Sequence, residues 1–334
     1  MTVTTLDNIS VLDLKNFDME TLLIESKALK GNSLQDPTLR RNPILIPRNA
    51  EGPLPVVFYL SGLTGNGSGP FSPKFGEPTN IELLDAAITA KKAPKALYVF
   101  VDAMTSWGGS QFVNSRQGNY EDYLIKELVP AIHSKYDVSL LPKHWCVTGG
   151  SSGGYGSLHL ASKFPKVFGV AAAIAPDCFF EAALLGEIYE SLTDWNEYGG
   201  LKGLLKELRE GRLRRSKNFH TLVNVVGMSL CYADGELPMD THTGKMKPAI
   251  WKKWLAMDPL VFFPKRAQNL RKLHALYIDV GNRDQFKLHL GCRQLHQWLK
   301  SRKIKHHYSE FKGTHFEIGT RRPEVWSWLQ KIWD

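Results

Sequence analysis

The sequence predicts one α/β domain in which helices cover both faces of a doubly wound, mostly parallel sheet. Three observations indicate this fold class. Short apolar runs recur along the 334 residues, stretches with helical periodicity separate them, and no repeat or low-complexity linker divides the chain. Hydrophobic residues make up 43% of the chain, which is enough to bury a sizeable core in one large domain.

Five apolar and β-branched runs have the length and composition of buried parallel strands. They are 56–61, 96–102, 145–149, 170–175 and 275–280, and 307–311 is the candidate for the last strand. Two earlier segments, 20–28 and 44–47, are predicted to be antiparallel edge strands. Helical stretches follow at 120–135, 154–164, 286–301 and 323–332. We expect Pro130 to kink or end the first of these early, because proline lacks an N–H donor.

The segment 178–263 interrupts the alternation of strand and helix. It contains Leu201, Leu204, Leu205 and Leu208 at helical spacing, followed by Trp251 and Trp254. The segment either packs as helices on the sheet edge or forms a cap over a site, since it lies after the carboxyl end of a strand. The predicted organisation is therefore a single domain, 1–334, with an insertion or cap at 178–263.

Composition excludes several classes of function. The formal charge of +9 is spread out, and its densest stretch, 209–217, is typical of a solvated helix face. Since no nucleic-acid-binding signature accompanies it, we expect no nucleic-acid partner. The sequence contains neither a run of about 18 apolar residues nor a secretory signal pattern, which predicts a cytoplasmic protein without membrane association. Four cysteines without a CxxC pair fit a reducing compartment, with Cys146 in the core.

The strongest local signal is an apolar strand that runs into Gly149-x-Ser151-x-Gly153 and then into a helix. Such an elbow holds a serine on a sharp, strained turn at the top of the sheet of an α/β-hydrolase fold. Glycines flank the serine because neighbouring backbone approaches closely there. The pattern also fits a frame with Ser152 as the nucleophile, and spacing alone does not separate the two.

A serine nucleophile needs a base to take its proton and an acid to hold that base. In this fold the chain order is serine, acid, histidine. Asp284 is the predicted acid because it ends the loop after the 275–280 strand, whereas its competitor Asp279 lies within the strand, where a charge needs a buried partner. His315 is the predicted base because it lies in a glycine-containing loop just past the last strand. The other histidines after Asp284 lie on the following helix or in and beside the last strand: His289, His296, His306 and His307.

An oxyanion hole needs two backbone N–H donors, one after the nucleophile and one from a loop that follows an early strand. A glycine-rich turn follows the 56–61 strand, so the predicted donors are the N–H groups of Leu63 and Ser152, and Gly62 is expected to contact the substrate. The turn lacks the Gly-Lys-Ser/Thr ending of a phosphate-binding loop. No metal or organic cofactor is implied.

Together these motifs resemble the esterase D and enterochelin-esterase-like family of α/β-hydrolases, which includes S-formylglutathione hydrolases, feruloyl-type esterases and mycolyltransferases. The segments that carry the resemblance are 60–64, 108–111, 114–115, 118–123, 149–156, 281–286 and 313–315. The resemblance implies Ser151 as the nucleophile, followed by Ser152 as a donor, with Asp284 and His315 as its partners. It also implies that Trp107 and Gln111 line the substrate cleft or hold the loop beside it.

The predicted function is hydrolysis of a small-molecule carboxylic ester through an acyl-enzyme. The alternatives are an acyltransferase that uses the same site and a catalytically silent binding protein of the same fold. Gly65 stands where S-formylglutathione hydrolases carry a cysteine, which argues against a glutathione thioester substrate. The segment 178–263 matches none of the named members, so the sequence leaves the acyl and alcohol groups and the oligomeric state open.

Overall fold

The computed structural model describes residues 3–5, 13–73, 75–213 and 218–334. The strands of the main sheet in this part of the chain are β1 (Val3–Thr5), β2 (Phe17–Glu25), β3 (Leu39–Pro47), β4 (Val56–Leu60), β5 (Leu97–Phe100), β6 (Trp145–Gly150), β7 (Val170–Ile174), β8 (Ala275–Gly281) and β9 (His307–Phe311). Their order across the sheet is β1-β2-β3-β5-β4-β6-β7-β8-β9. All six predicted runs form the parallel strands β4 to β9, which confirms the predicted fold class.

The N-terminal strands β1 to β3 pair antiparallel, as predicted for this edge of the sheet. The predicted segment 44–47 lies within the longer strand β3, whereas β2 begins and ends three residues before the predicted segment 20–28. Two short hairpins lie outside the main sheet and pair Met104–Thr105 with Gly108–Gly109 and Asn114–Ser115 with Gly118–Asn119.

Helices cover both faces of the sheet. They are α1 (Asn80–Thr89), α2 (Tyr120–Asp122, continued by a π-helical Tyr123–Leu128 and by Val129–Lys135), α3 (Ser152–Lys163), α4 (Phe180–Glu197), α5 (Gly200–Arg209), α6 (Phe219–Ala233), α7 (Pro248–Ala256), α8 (Pro259–Lys265), α9 (Ala267–Leu270), α10 (Leu288–Ser301) and α11 (Arg322–Trp333). Short 3₁₀ helices form at Gly69–Phe71, Pro142–His144 and His315–Arg321. Each predicted helix is present, with ends that differ by up to two residues. None of the described helices combines the length and apolar character that crossing a membrane requires.

Of the two outcomes expected at Pro130, a kink or an early end of helix α2, the early end is wrong. The helix continues to Lys135, because the turn before the proline is π-helical and the N–H of Val129 bonds to the carbonyl of Leu124, five residues back. Pro130 then lies in the first turn of the last α-helical segment, where the missing N–H costs least.

Two hydrophobic cores lie on opposite faces of the sheet, because successive strand residues point to opposite sides. Val57 packs in the core beneath α1 and α11, which also contains Cys146, as predicted. Phe58 packs on the other face, where its ring lies 5.8 Å from that of Trp145. Burial on both faces is why these strands read as continuous apolar runs in the sequence.

The segment after β7 forms the five helices α4 to α8, and the leucine spacing predicted the second of them, α5. Trp254 of α7 is fully buried, and Trp251 packs against the same core. The basic stretch 209–217 lies partly outside the described residues, as do residues 1–2 and 6–12 of the N-terminus. Within the described part, Arg212 of the basic stretch pairs with Glu207 at 2.9 Å.

Candidate active site

The residues predicted to act together all follow the carboxyl ends of parallel strands. The turn at Gly62 follows β4, Ser151 follows β6, Asp284 lies after β8 and His315 after β9. Parallel strands bring their carboxyl ends to one edge of the sheet, which is where ligands bind in folds of this type. The topology therefore places four segments that are distant in sequence at one edge.

Ser151 lies at a sharp turn between β6 and α3. Its φ of 56° and ψ of −125° are strained for a residue with a Cβ atom. Backbone hydrogen bonds hold it in place, because its N–H donates to the carbonyl of Ile174 at 2.9 Å and its carbonyl accepts from the N–H of Tyr155 at 2.9 Å. This is the conformation that the elbow pattern predicts.

The glycines on either side of Ser151 allow strand β4 to approach the turn. A Cβ atom at Gly149 would lie 2.4 Å from the carbonyl oxygen of Leu60, and one at Gly153 would lie 2.2 Å from it. Gly149 is the register partner of Leu60 in the sheet, so this contact follows from the strand pairing itself. Neither distance leaves room for a side chain.

Asp284 and His315 form a buried pair. Oδ2 of Asp284 lies 2.7 Å from Nδ1 of His315, and the Asp284 side chain has no solvent exposure. Its other oxygen, Oδ1, accepts from the N–H groups of Phe286 at 2.9 Å and Leu288 at 3.4 Å. A carboxylate at Nδ1 fixes the ring orientation and the tautomer, so Nε2 carries the free lone pair that a general base needs.

Two further contacts position the His315 side chain. The backbone N–H of His315 donates to Oε1 of Gln285 at 3.0 Å, and the ring of Phe286 meets the imidazole edge-on with 4.9 Å between centroids. His315 begins the 3₁₀ helix, and Oγ1 of the preceding Thr314 accepts from the N–H of Phe316 at 3.3 Å.

The carboxylate of the competing acid, Asp279, is hydrogen-bonded to residues other than His315. Its buried carboxylate accepts from Arg321 Nε at 2.7 Å and from Ser309 Oγ at 2.8 Å. Three of the four competing histidines likewise have other contacts: His296 Nδ1 lies 2.8 Å from His306 Nε2, and His307 stacks on Tyr277 with centroids 4.7 Å apart.

The two candidate oxyanion donors lie at the mouth of the same cavity as Ser151. Among the described residues, neither the N–H of Leu63 nor that of Ser152 has an acceptor. Ser152 is the first residue of α3, so its N–H also lies at the positive end of the helix dipole. Both groups are therefore free to bind an oxyanion.

The side chain of Ser152 is buried and hydrogen-bonded, unlike that of Ser151. Its Oγ donates to Asp177 Oδ2 at 3.2 Å and accepts from Gln111 Nε2 at 2.9 Å. Both serines and His315 line the same cavity, but only Ser151 is partly exposed. These contacts favour Ser151 over Ser152 as the nucleophile.

Gly62 lines the cavity, but the side chains of Trp107 and Gln111 are not among its lining residues. Gln111 is fully buried behind Ser152, and its Nε2 also lies 3.3 Å from Asp177 Oδ2. Trp107 is buried as well, and its Nε1 donates to the carbonyl of Val223 in α6 at 3.1 Å. Of the two interpretations of this loop, these contacts favour a role in holding the loop beside the site.

The cavity beside Ser151 has a volume of about 540 Å³ and extends between helices α4 and α6. Its apolar walls include Phe180, Leu184 and Met228. Two carboxyl groups interrupt them, and burial raises the pKa of Asp177 to about 6 and that of Glu187 to about 7. Sequence reasoning missed both residues, because no motif marks them.

A second, smaller cavity of about 120 Å³ lies beneath Ser151 on the opposite face of the sheet. Strand residues and helices α1 and α11 enclose it, with mostly apolar side chains such as Val57, Leu84 and Trp326. Gly62, Ser151 and Ile318 line both cavities. The sequence carried no signal for this cavity either.

Within the described ranges, no group of three or more His, Cys, Asp or Glu residues is placed to hold a metal ion.

Comparison with known proteins agrees with this fold. The Esterase family model matches residues 40–319. A ferulic acid esterase superposes with a TM-score of 0.59 at 17% identity, covering 95% of this chain and 99% of that one. An S-formylglutathione hydrolase from Staphylococcus aureus superposes with a TM-score of 0.58 at 13% identity, covering 94% and 99%. A ferulic acid esterase from Anaeromyces mucronatus in complex with ferulic acid gives a TM-score of 0.54 at 13% identity, covering 95% and 91%. At these identities the likeness concerns the fold, and among curated proteins none matches the sequence.

Proposed function

Because the chain belongs to the esterase family, we propose that it is a serine esterase that hydrolyses a carboxylic ester through an acyl-enzyme on Ser151. The observation that carries the proposal is the buried pair of Asp284 and His315, with 2.7 Å between Oδ2 and Nδ1, beside a cavity that Ser151 also lines. A histidine held in this way by a buried carboxylate serves as a general base for a serine hydroxyl.

In the acylation step, Oγ of Ser151 attacks the ester carbonyl carbon while Nε2 of His315 takes its proton. Asp284 stabilises the imidazolium that forms, without taking the proton itself. The N–H groups of Leu63 and Ser152 bind the negative charge that develops on the carbonyl oxygen. When the tetrahedral intermediate collapses, His315 returns the proton to the alcohol oxygen as the C–O bond breaks.

In the deacylation step, a water molecule attacks the carbonyl carbon of the acyl-enzyme, and His315 again takes the proton. Collapse of the second intermediate breaks the bond to Ser151 Oγ, which recovers its proton from His315. The products are the carboxylic acid and the free enzyme. An alcohol in place of water would yield a new ester, which is the acyltransferase alternative.

We further propose that the segment 178–263 acts as a cap over the site. Helices α4 and α6 of this segment supply much of the wall of the larger cavity, including Phe180, Leu184 and Asn224. A wall of this kind removes water from the reacting ester and strengthens the electrostatic interactions within the site. The two helices pack against each other directly.

The similar structures support small-molecule oxygen esters as substrates. Ferulic acid esterases and S-formylglutathione hydrolases share this fold, but Gly65 occupies the place of the cysteine expected in the latter. An oxygen ester of a small carboxylic acid therefore fits this chain better than a glutathione thioester does.

The test is hydrolysis of a graded series of p-nitrophenyl esters by the wild type, Ser151→Ala and Ser152→Ala. We expect Ser151→Ala to lose kcat by about 10³-fold or more, and Ser152→Ala to stay within about tenfold of the wild type, because its backbone N–H is retained. Addition of methanol then shows whether the acyl group passes to an alcohol. A wild type that hydrolyses none of the esters, or a fully active Ser151→Ala variant, would contradict the proposal.

A further inference from the structure

Two cavities meet at the candidate nucleophile. The larger, of about 540 Å³, and the smaller, of about 120 Å³, both have Gly62, Ser151 and Ile318 in their walls. An ester whose carbonyl carbon lies at Ser151 Oγ has two branches, the acyl chain and the alcohol. Each branch therefore has a separate cavity available to it.

The position of His315 decides which branch enters which cavity. His315 lines the larger cavity and is not among the residues that line the smaller one. In the reaction proposed above, the histidine must return a proton to the alcohol oxygen. The alcohol therefore leaves through the larger cavity, and the acyl chain points into the smaller one.

The walls of the smaller cavity suit an unbranched apolar chain. Val57, Leu84 and Val325 are buried apolar residues of the core beneath α1 and α11. The polar groups at the wall are largely engaged, since Arg322 donates from Nη2 to the Tyr59 hydroxyl at 2.7 Å and from Nη1 to Asn80 Oδ1 at 2.6 Å. An apolar acyl chain would leave these hydrogen bonds intact.

The volume limits the length of that chain. An apolar cavity of about 150 Å³ in another protein holds one benzene molecule, so about 120 Å³ corresponds to a chain of about four to six carbons. Ile318 lies between the two cavities and packs closely on Gly150, since a Cβ atom at Gly150 would lie 3.0 Å from its Cδ1. Since a cavity of about 150 Å³ holds benzene alone, the substituted ring of a feruloyl group is too large for one of about 120 Å³.

We infer that the smaller cavity is the acyl site and that the enzyme acts on esters of short, straight-chain carboxylic acids rather than on hydroxycinnamate esters. The inference rests on the proposed esterase function and adds to it the chemical class of the acyl group. Leu84 and Val325 set the length of the chain, and Ile318 lies in the wall that the two cavities share.

The test uses p-nitrophenyl esters with acyl chains of two to twelve carbons, together with p-nitrophenyl ferulate. We expect kcat/KM of the wild type to be highest at about four to six carbons and to fall at least about tenfold by ten carbons. Leu84→Ala enlarges the smaller cavity and should shift the optimum to longer chains. Val325→Ala, which removes less volume, tests the same shift if Leu84→Ala does not fold.

Two controls separate the cavities. Leu83→Ala alters the exposed neighbour of Leu84 on the same helix and should leave the acyl profile unchanged. Leu184→Ala enlarges the larger cavity and should change the preference among alcohols in a series of butanoate esters, with the acyl optimum unmoved. A best rate with ferulate, or an acyl optimum that responds to Leu184→Ala and not to Leu84→Ala, would overturn the inference. Hydrolysis of no ester at all would instead contradict the proposed function.

Discussion

Arg321 donates from Nε to Oδ2 of Asp279 at 2.7 Å, which pairs a fully buried carboxylate of β8 with a cation from the end of the 3₁₀ helix that His315 begins. Ser309 adds a second donor to the same carboxylate, at 2.8 Å to Oδ1. Asp279 and Asp284 are five positions apart, yet only Asp284 contacts the histidine. We therefore expect the two aspartates to differ in function, with Asp279 holding the C-terminal segment in place.

Substitution of each aspartate by asparagine separates the two roles. Asp284→Asn should lower kcat by about 10³- to 10⁴-fold with little change in Tm, because the amide no longer holds the required histidine tautomer. Asp279→Asn leaves the Arg321 charge without its partner and should lower the free energy of unfolding by about 3 kcal/mol, while the folded fraction keeps most of its kcat. Ester hydrolysis and thermal unfolding, measured on the same samples, check both. A loss of kcat in Asp279→Asn as large as in Asp284→Asn would contradict the assignment.

Histidine substitutions supply a second matched pair. His315→Gln should lower kcat by about 10³-fold or more, because the general base is lost. His306→Gln should keep kcat within a fewfold, since the hydrogen bonds of His306 among the described residues go to His296 and to the carbonyl of Ile304. The initial rate of p-nitrophenyl ester hydrolysis measures both. Comparable losses in the two variants would point to a different base.

Glu187 should make stability depend on pH. Burial raises its pKa from 4.5 to about 7, with Asp177 and Glu190 adding to the rise and Asn224 and Lys287 opposing it. Between these pH values the unfolded chain releases the proton while the folded chain retains it. The free energy of unfolding therefore falls as the pH rises from about 4.5 to about 7, and the loss persists above that range.

Glu187→Gln removes this titration and preserves a hydrogen-bonding group for Asn224. We expect the variant to have a higher Tm than the wild type at pH 8 and nearly the same Tm at pH 4.5. Each kcal/mol of added stability should raise Tm by about 1 to 2 °C in a chain of this length. Thermal unfolding across this pH range is the measurement. Equal slopes of Tm against pH for the two proteins would show that Glu187 ionises normally in the folded state.

Glycine substitutions test the close approach at the elbow. Gly153→Ala places a Cβ atom 2.2 Å from the carbonyl oxygen of Leu60, so the backbone must shift, at a cost of about 3 kcal/mol or more. Gly186→Ala in α4 meets no atom within 4 Å and should raise the free energy of unfolding by about 0.5 to 1 kcal/mol. Chemical denaturation measures the free energy of unfolding of both variants. Similar values for Gly153→Ala and Gly186→Ala would contradict the close approach of Leu60 to Gly153.

Local sequence signals predicted much of the fold and the candidate triad. The central parallel strands were recognisable because burial on both faces leaves few polar positions in them, as at β7 (Val170–Ile174). The elbow at Ser151 was recognisable because a strained turn and a close approach require glycines at fixed positions. The fold class and the family were predicted in this way, and the parallel sheet and the family match confirm them.

Other features depend on contacts between distant residues, and only the tertiary structure decided them. Asp177 and Glu187 carry raised pKa values because helices α4 and α6 bury them, and no spacing in the sequence encodes that burial. Gln111 lies behind Ser152 rather than in the cavity because their side chains meet across 41 positions of the chain. The two cavities likewise arise from packing of the sheet against helices on opposite faces. The sequence therefore determined the order and chemical type of the candidate catalytic groups, whereas the folded structure determined the space around them, since side-chain packing depends on every neighbour at once.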